Sequence, residues 1–159
     1  MIITLVIACL LLVTIFLQDI TLRSIWWFLP PLLFGAFIAY RWDEFSWLTL
    51  GFNTAFIVLL MAFLFVYIRF RFGKPELIFK QYFGLGDLLF ILALTPLLPF
   101  QQFILFFTVG TFSTLVIHGI SLLFKKQPTI PYAGYFSLVT LAYLLLLHSG
   151  TDVFQFIQL

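Results

Sequence analysis

The sequence predicts an all-α, polytopic membrane protein, a bundle of six transmembrane helices, and three observations carry that expectation. Of 159 residues, 64% are hydrophobic, 9% are charged and 23 are Phe, far from the mix of a soluble domain. Leu88 to Phe124 is a run of 37 residues without a formal charge, too long for a single crossing of about 20 residues. The remaining charges cut the rest of the chain into apolar segments of about that length. A chain of this size has room for one integral-membrane domain, residues 1–159, and for no soluble domain beside it. The net charge of +2 is small and scattered, which argues against nucleic acid as a partner and leaves the lipid bilayer as the surroundings. Cys9 is the lone cysteine, so an internal disulfide and a multi-cysteine zinc site are both excluded.

Charges and helix breakers set the expected spans. Met1 to Gln18 is the first, Ser24 to Tyr40 the second and Phe45 to Ile68 the third. Val6-Ile7-Ala8-Cys9 looks like a lipoprotein cleavage box, but Met-Ile-Ile-Thr supplies no basic n-region and the apolar run continues past Cys9. An uncleaved first span is therefore expected. Pro96, Pro99 and the Gln101-Gln102 pair break the long run into a fourth span ending near Pro99 and a fifth from Phe103 to Phe124. Lys125 to Pro131 reads as a loop, Pro131 to His148 as the sixth span, and Thr151 to Leu159 as an interfacial tail.

Two acids stand out against this background. Asp19 follows eighteen uncharged residues, and Asp87 opens the long uncharged run. An ionisable group in a membrane span costs at least a few kcal/mol, so by default it marks a functional site. Leu88 to Pro99 is only 12 residues, about 18 Å of helix, so the fourth span is expected to reach back to about Lys80. A continuous helix from there would put Asp87 roughly 10 Å inside the membrane. Gly84 and Gly86 beside it would let another helix approach closely and the backbone bend.

Six spans place Arg23, Arg69, Arg71, Lys74, Lys80, Lys125 and Lys126 on one side and only Arg41 on the other. That bias puts the seven in the cytoplasm and both termini outside. Trp26 and Trp27, and Trp42 and Trp47, fit interfacial belts on opposite sides. On this topology Asp19 and Asp87 reach the same, cytoplasmic face and can meet, whereas Asp43 and Glu44 lie on the far side. Two carboxyls within a few ångströms tend to share one proton, which makes an acid and a base in one site. Such a pair can activate water against a peptide carbonyl without a metal or cofactor.

These residues resemble a known family. Gly84-Leu85-Gly86-Asp87 at the start of a fourth span, with an earlier aspartate closing the first, looks like the GxGD intramembrane aspartyl proteases, most of all the type IV prepilin peptidases. Gln18-Asp19-Ile20-Thr21-Leu22-Arg23-Ser24-Ile25 is similar to that family's first motif, and Ile130-Pro131-Tyr132-Ala133-Gly134-Tyr135 to the start of its last span. The resemblance implies an aspartic-type endopeptidase with Asp19 and Asp87 catalytic and Gly84 and Gly86 supporting them. It implies no cofactor, and as substrates the leader peptides of prepilin-like membrane proteins, cut at the cytoplasmic face of a bacterial inner membrane. The chain departs from the pattern at Trp26-Trp27, where the family usually has Pro-Asn, and at Leu89, where it often has Lys. The Cys-rich segment associated with N-methylation is absent, so the resemblance implies peptidase activity alone. A small transporter subunit or a non-catalytic assembly factor is the alternative. His118 reads as a hydrogen-bonded packing residue outside the site, and Lys125 and Lys126 as snorkelling cations.

Overall fold

The computed structural model describes residues 2–72, 84–124 and 130–150. Its elements are α1 (Ile2–Leu22), α2 (Leu29–Tyr40), a 3₁₀ turn (Trp42–Glu44), α3 (Trp47–Phe72), α4 (Leu85–Ala93), α5 (Phe100–Phe124) and α6 (Tyr132–His148). The described residues thus form six α-helices and no strand, in a membrane-protein bundle. The helices α1, α3 and α5 are long and apolar enough to cross a bilayer, and α2 and α6 are shorter apolar helices. Lys74, Lys80, Lys125, Lys126 and the expected interfacial tail lie outside the described residues.

Local chemistry explains where the helices stop and start. The first helix runs four residues past Gln18 and ends where Arg23 takes a left-handed conformation, φ 55°. A non-glycine residue pays for that conformation in backbone strain, so the reversal is held from outside: the Trp26 N–H donates to Gln18 Oε1 at 3.1 Å. In α2, Pro30 and Pro31 occupy the first turn, where the missing N–H groups would have had no helical acceptor. The fifth helix starts at Phe100 directly after Pro99, three residues earlier than expected, so Gln101 and Gln102 belong to its first turn and not to the break.

The fourth helix corrects the sequence reading most. It does not run back continuously toward Lys80; it begins at Leu85, because Gly84 is extended with ψ 141°. Asp87 therefore sits in the first turn, and the estimate of its depth from a continuous helix no longer applies. At the other end the helix stops after nine residues. Asn53 of α3, fully buried, donates through Nδ2 to the carbonyls of Thr95 at 2.7 Å and Leu98 at 2.9 Å. Those carbonyls lie in the turn that Pro96 and Pro99 impose.

The core is built around α6, which packs most extensively on α1 and also on α5 and α4. The Phe136 ring is fully buried among Phe90, Phe106, Phe107 and Tyr132. Gly110 of α5 makes room for it, since a Cβ there would collide with the ring. The third helix is peripheral, touching α5 and α4. Between α2, α3 and α4 lies an apolar cavity of about 370 Å³ whose lining includes Phe34, Thr54, Leu89 and Leu92.

Candidate active site

Asp19 and Asp87 both arrive at the start of α6. Asp19 lies in the last turn of α1 and is buried, on the face that α6 covers. Asp87 is the third residue of α4. Helix α6 begins after Pro131, and the N–H groups of a first turn have no partner within their own helix. Two of these orphan donors, consecutive in the chain, go one to each acid. The Ala133 N–H donates to Asp87 Oδ1 at 3.1 Å, and the Gly134 N–H donates to Asp19 Oδ2 at 2.6 Å. The carboxyls thus share one helix terminus, whose partial positive charge favours anions. They lie within electrostatic reach of each other, and Arg23 lies within reach of Asp19.

Glycines make this arrangement possible. A Cβ on Gly134 would stand 3.1 Å from both Cβ and Oδ2 of Asp19, tighter than ordinary contact. A Cβ on Gly84 would stand 3.0 Å from Asp87 Oδ2. The carboxyl of Asp87 folds back to accept the backbone N–H of Gly84, as an acid at the third helical position does in a capping box. The same bond fixes the start of α4. Gly86 faces Ile25 in the connection between α1 and α2, with a would-be Cβ 3.4 Å from the Ile25 Cβ. The backbone departs from helix at Gly84, not at Gly86.

Other residues singled out by sequence fall elsewhere. Asp43 is exposed in the 3₁₀ turn, next to the Arg41–Glu44 ion pair. Leu89 points into the cavity between α2, α3 and α4, although Asp87 is only two residues away. His118 is buried with its ring 6.2 Å from that of Tyr135, but its Nδ1 has no partner among the described residues. The expectation of a hydrogen-bonded packing histidine is corrected to that extent. Among the described residues no three of His, Cys, Asp and Glu gather as a metal site would require.

Sequence reasoning missed Ala133 and Gly134, because their contribution is a backbone donor and a missing side chain. The available signal was Pro131, which marks a helix start and hence a set of unpaired N–H groups. The phenol of Tyr132, held 2.9 Å from Thr111 Oγ1, was missed as well.

No curated protein and no solved structure matches the chain. A family model does: the type IV leader peptidase family matches residues 6–120, which include both acids and the Gly84-Leu85-Gly86-Asp87 motif. With α1 through most of α5 inside that match, this membrane helical bundle belongs to the type IV leader peptidase family.

Proposed function

We propose that the chain is an aspartic-type endopeptidase of the GxGD class, with Asp19 and Asp87 as its catalytic pair. The observation that supports this most is the use of two consecutive α6 amides, one on each carboxyl, which brings together acids 68 positions apart. Two carboxyls at one helix terminus share a proton, one ionised and one neutral. The ionised carboxylate takes a proton from water as the water oxygen bonds to the scissile carbonyl carbon. The neutral carboxyl gives its proton to the carbonyl oxygen, which yields a gem-diol. On collapse, a gem-diol hydroxyl returns a proton to the carboxylate, the C–N bond breaks, and the carboxyl that gained a proton from water protonates the leaving amine. The pair ends with the proton count it began with.

In this reading the substrates are prepilin-like membrane proteins, cut between leader and mature segment at the cytoplasmic face of a bacterial inner membrane. The concentration of Lys and Arg on one side of the predicted topology supports that face, with both termini outside. Gly84 supports Asp87 by leaving its carboxyl room to fold back, and Gly86 supports it through close packing on Ile25.

Asn substitution tests the pair, because it keeps side-chain size and removes one titrating group. In purified protein reconstituted in lipid with leader-bearing substrates, Asp19→Asn and Asp87→Asn each should lower cleavage by about 10³-fold or more, and the double variant should be little worse than either. Asp43→Asn should stay near wild type. Cleavage that survives in a correctly inserted Asp87→Asn protein would overturn the aspartyl mechanism. A wild type that cuts no candidate would favour a non-catalytic assembly role.

A further inference from the structure

We propose that Thr111 and Tyr132 form a positioning pair: a hydrogen bond from the first residue of α6 to α5 that sets the direction of the two amides holding the carboxyls. The inference rests on the peptidase reading above for its role in turnover, but the pair itself stands on geometry. Tyr132 Oη and Thr111 Oγ1 are 2.9 Å apart, and Thr111 Oγ1 is also 2.8 Å from the carbonyl of Phe107 one turn back. A threonine hydroxyl carries a single proton. That proton goes to the Phe107 carbonyl, so the phenol is the donor in the bond between helices. The chain of bonds therefore has one polarity, from Tyr132 O–H to Thr111 Oγ1 and from Thr111 O–H to the Phe107 carbonyl.

The bond matters because of the peptide unit that Tyr132 shares with its neighbour. The N–H that Ala133 gives to Asp87 lies in the plane joining Tyr132 to Ala133, and the next plane carries the N–H that Gly134 gives to Asp19. Rotation at Tyr132 turns both donors. These amides are the second and third of the helix and have no intrahelical acceptor. Around them, ring packing of Tyr132 on Phe136 and of Phe136 over Gly110 keeps α6 close to α5. Those contacts are apolar and set distance more than direction, whereas the hydroxyl bond fixes a rotation. The phenol also lies within electrostatic reach of Asp87. Helix α5 supplies neither acid, yet on this account Gly110 and Thr111 seat the turn on which both acids depend.

The test compares Tyr132→Phe, Thr111→Val, the double variant and Thr111→Ser in lipid-reconstituted full-length protein with a leader-bearing substrate. Misplacing a reacting group by a fraction of an ångström to an ångström costs up to about 100-fold. Accordingly Tyr132→Phe and Thr111→Val each should lower kcat about tenfold with KM within about twofold. The double variant should be no worse than either single change, and Thr111→Ser, which keeps the hydroxyl, should retain most of the wild-type kcat. The pH profile of kcat should move in Tyr132→Phe and Thr111→Val and return in Thr111→Ser. Wild-type kcat and pH profile in Tyr132→Phe, or losses that multiply in the double variant, would overturn the positioning role, even if thermal stability fell. A second measurement is independent of turnover: in protein labelled with ¹⁵N at alanine and glycine, the Ala133 and Gly134 amide resonances should shift in Tyr132→Phe and Thr111→Val and recover in Thr111→Ser. Unmoved amides would overturn the pair whatever the wild type cleaves. Responsive amides in a wild type that cleaves nothing would instead keep the pair and sink the peptidase reading.

Discussion

A glycine next to a carboxyl separates stability from activity more cleanly than replacement of the acid does. At Gly134 a methyl group would press on Asp19 at 3.1 Å and force it to move by a few tenths of an ångström, stretching a 2.6 Å hydrogen bond. Alanine is nonetheless the better helix former by about 1 kcal/mol. Gly134→Ala should therefore leave the unfolding midpoint unchanged or slightly raised while cleavage falls about tenfold or more; thermal unfolding and cleavage assayed on one preparation would check both. Equal loss of both would mean that Gly134 is a packing residue only. The contrast also marks how far the site can be read from sequence. Asp19 and Asp87 are visible because a charge in an apolar run has to be explained where it stands, and Gly84 because it stands three residues before one of them. Gly134 is not, since the meaning of an absent side chain depends on a partner 115 positions earlier in the chain.

Among the elements, α4 shows how a nine-residue helix can be held at both ends by groups outside it. Its start is fixed by the Asp87 carboxyl on the Gly84 N–H, and its end by Asn53 bridging two carbonyls. Leucine at position 53 is similar in size but leaves the Thr95 and Leu98 carbonyls buried and unpaired. The expected loss for Asn53→Leu is about 2 kcal/mol, allowing about 1 kcal/mol for each missing bond, which a fall of several degrees in the unfolding midpoint in lipid would reveal. An unchanged midpoint would show that those carbonyls find other donors. Prolines 96 and 99 made the break after this helix legible, but the helix itself ends at Ala93, six residues before the end expected near Pro99. Its start was not legible. Apolar composition from Leu88 onward fits a continuous helix, whereas Gly84 is extended and the helix begins one residue after it.

For the molecule as a whole, the membrane class follows from composition and the six spans from the positions of charges and prolines, while the order of packing follows from neither. Nothing in the apolar pattern distinguishes the central α6 from the peripheral α3, because every face of a membrane helix is apolar whether it meets lipid or protein. Orientation is the remaining property of the whole chain, and it rests on the basic side chains. Single cysteines placed between Arg69 and Lys80 and near Lys125, on a Cys9-free background, should resist an impermeant thiol reagent in intact cells, and one near Asp43 should react. The reverse pattern would put both acids on the outer face and remove the cytoplasmic site. The cradle of amides at Ala133 and Gly134 has a consequence for biosynthesis. Chains emerge from the ribosome N-terminus first, so α1 and α4, each bearing one acid, are in the bilayer before the helix that receives both has been made. A nascent chain stalled before Pro131 would hold both aspartates without the two amides that seat them, so under the proposed aspartyl mechanism it would be hydrolytically silent until translation passes α6.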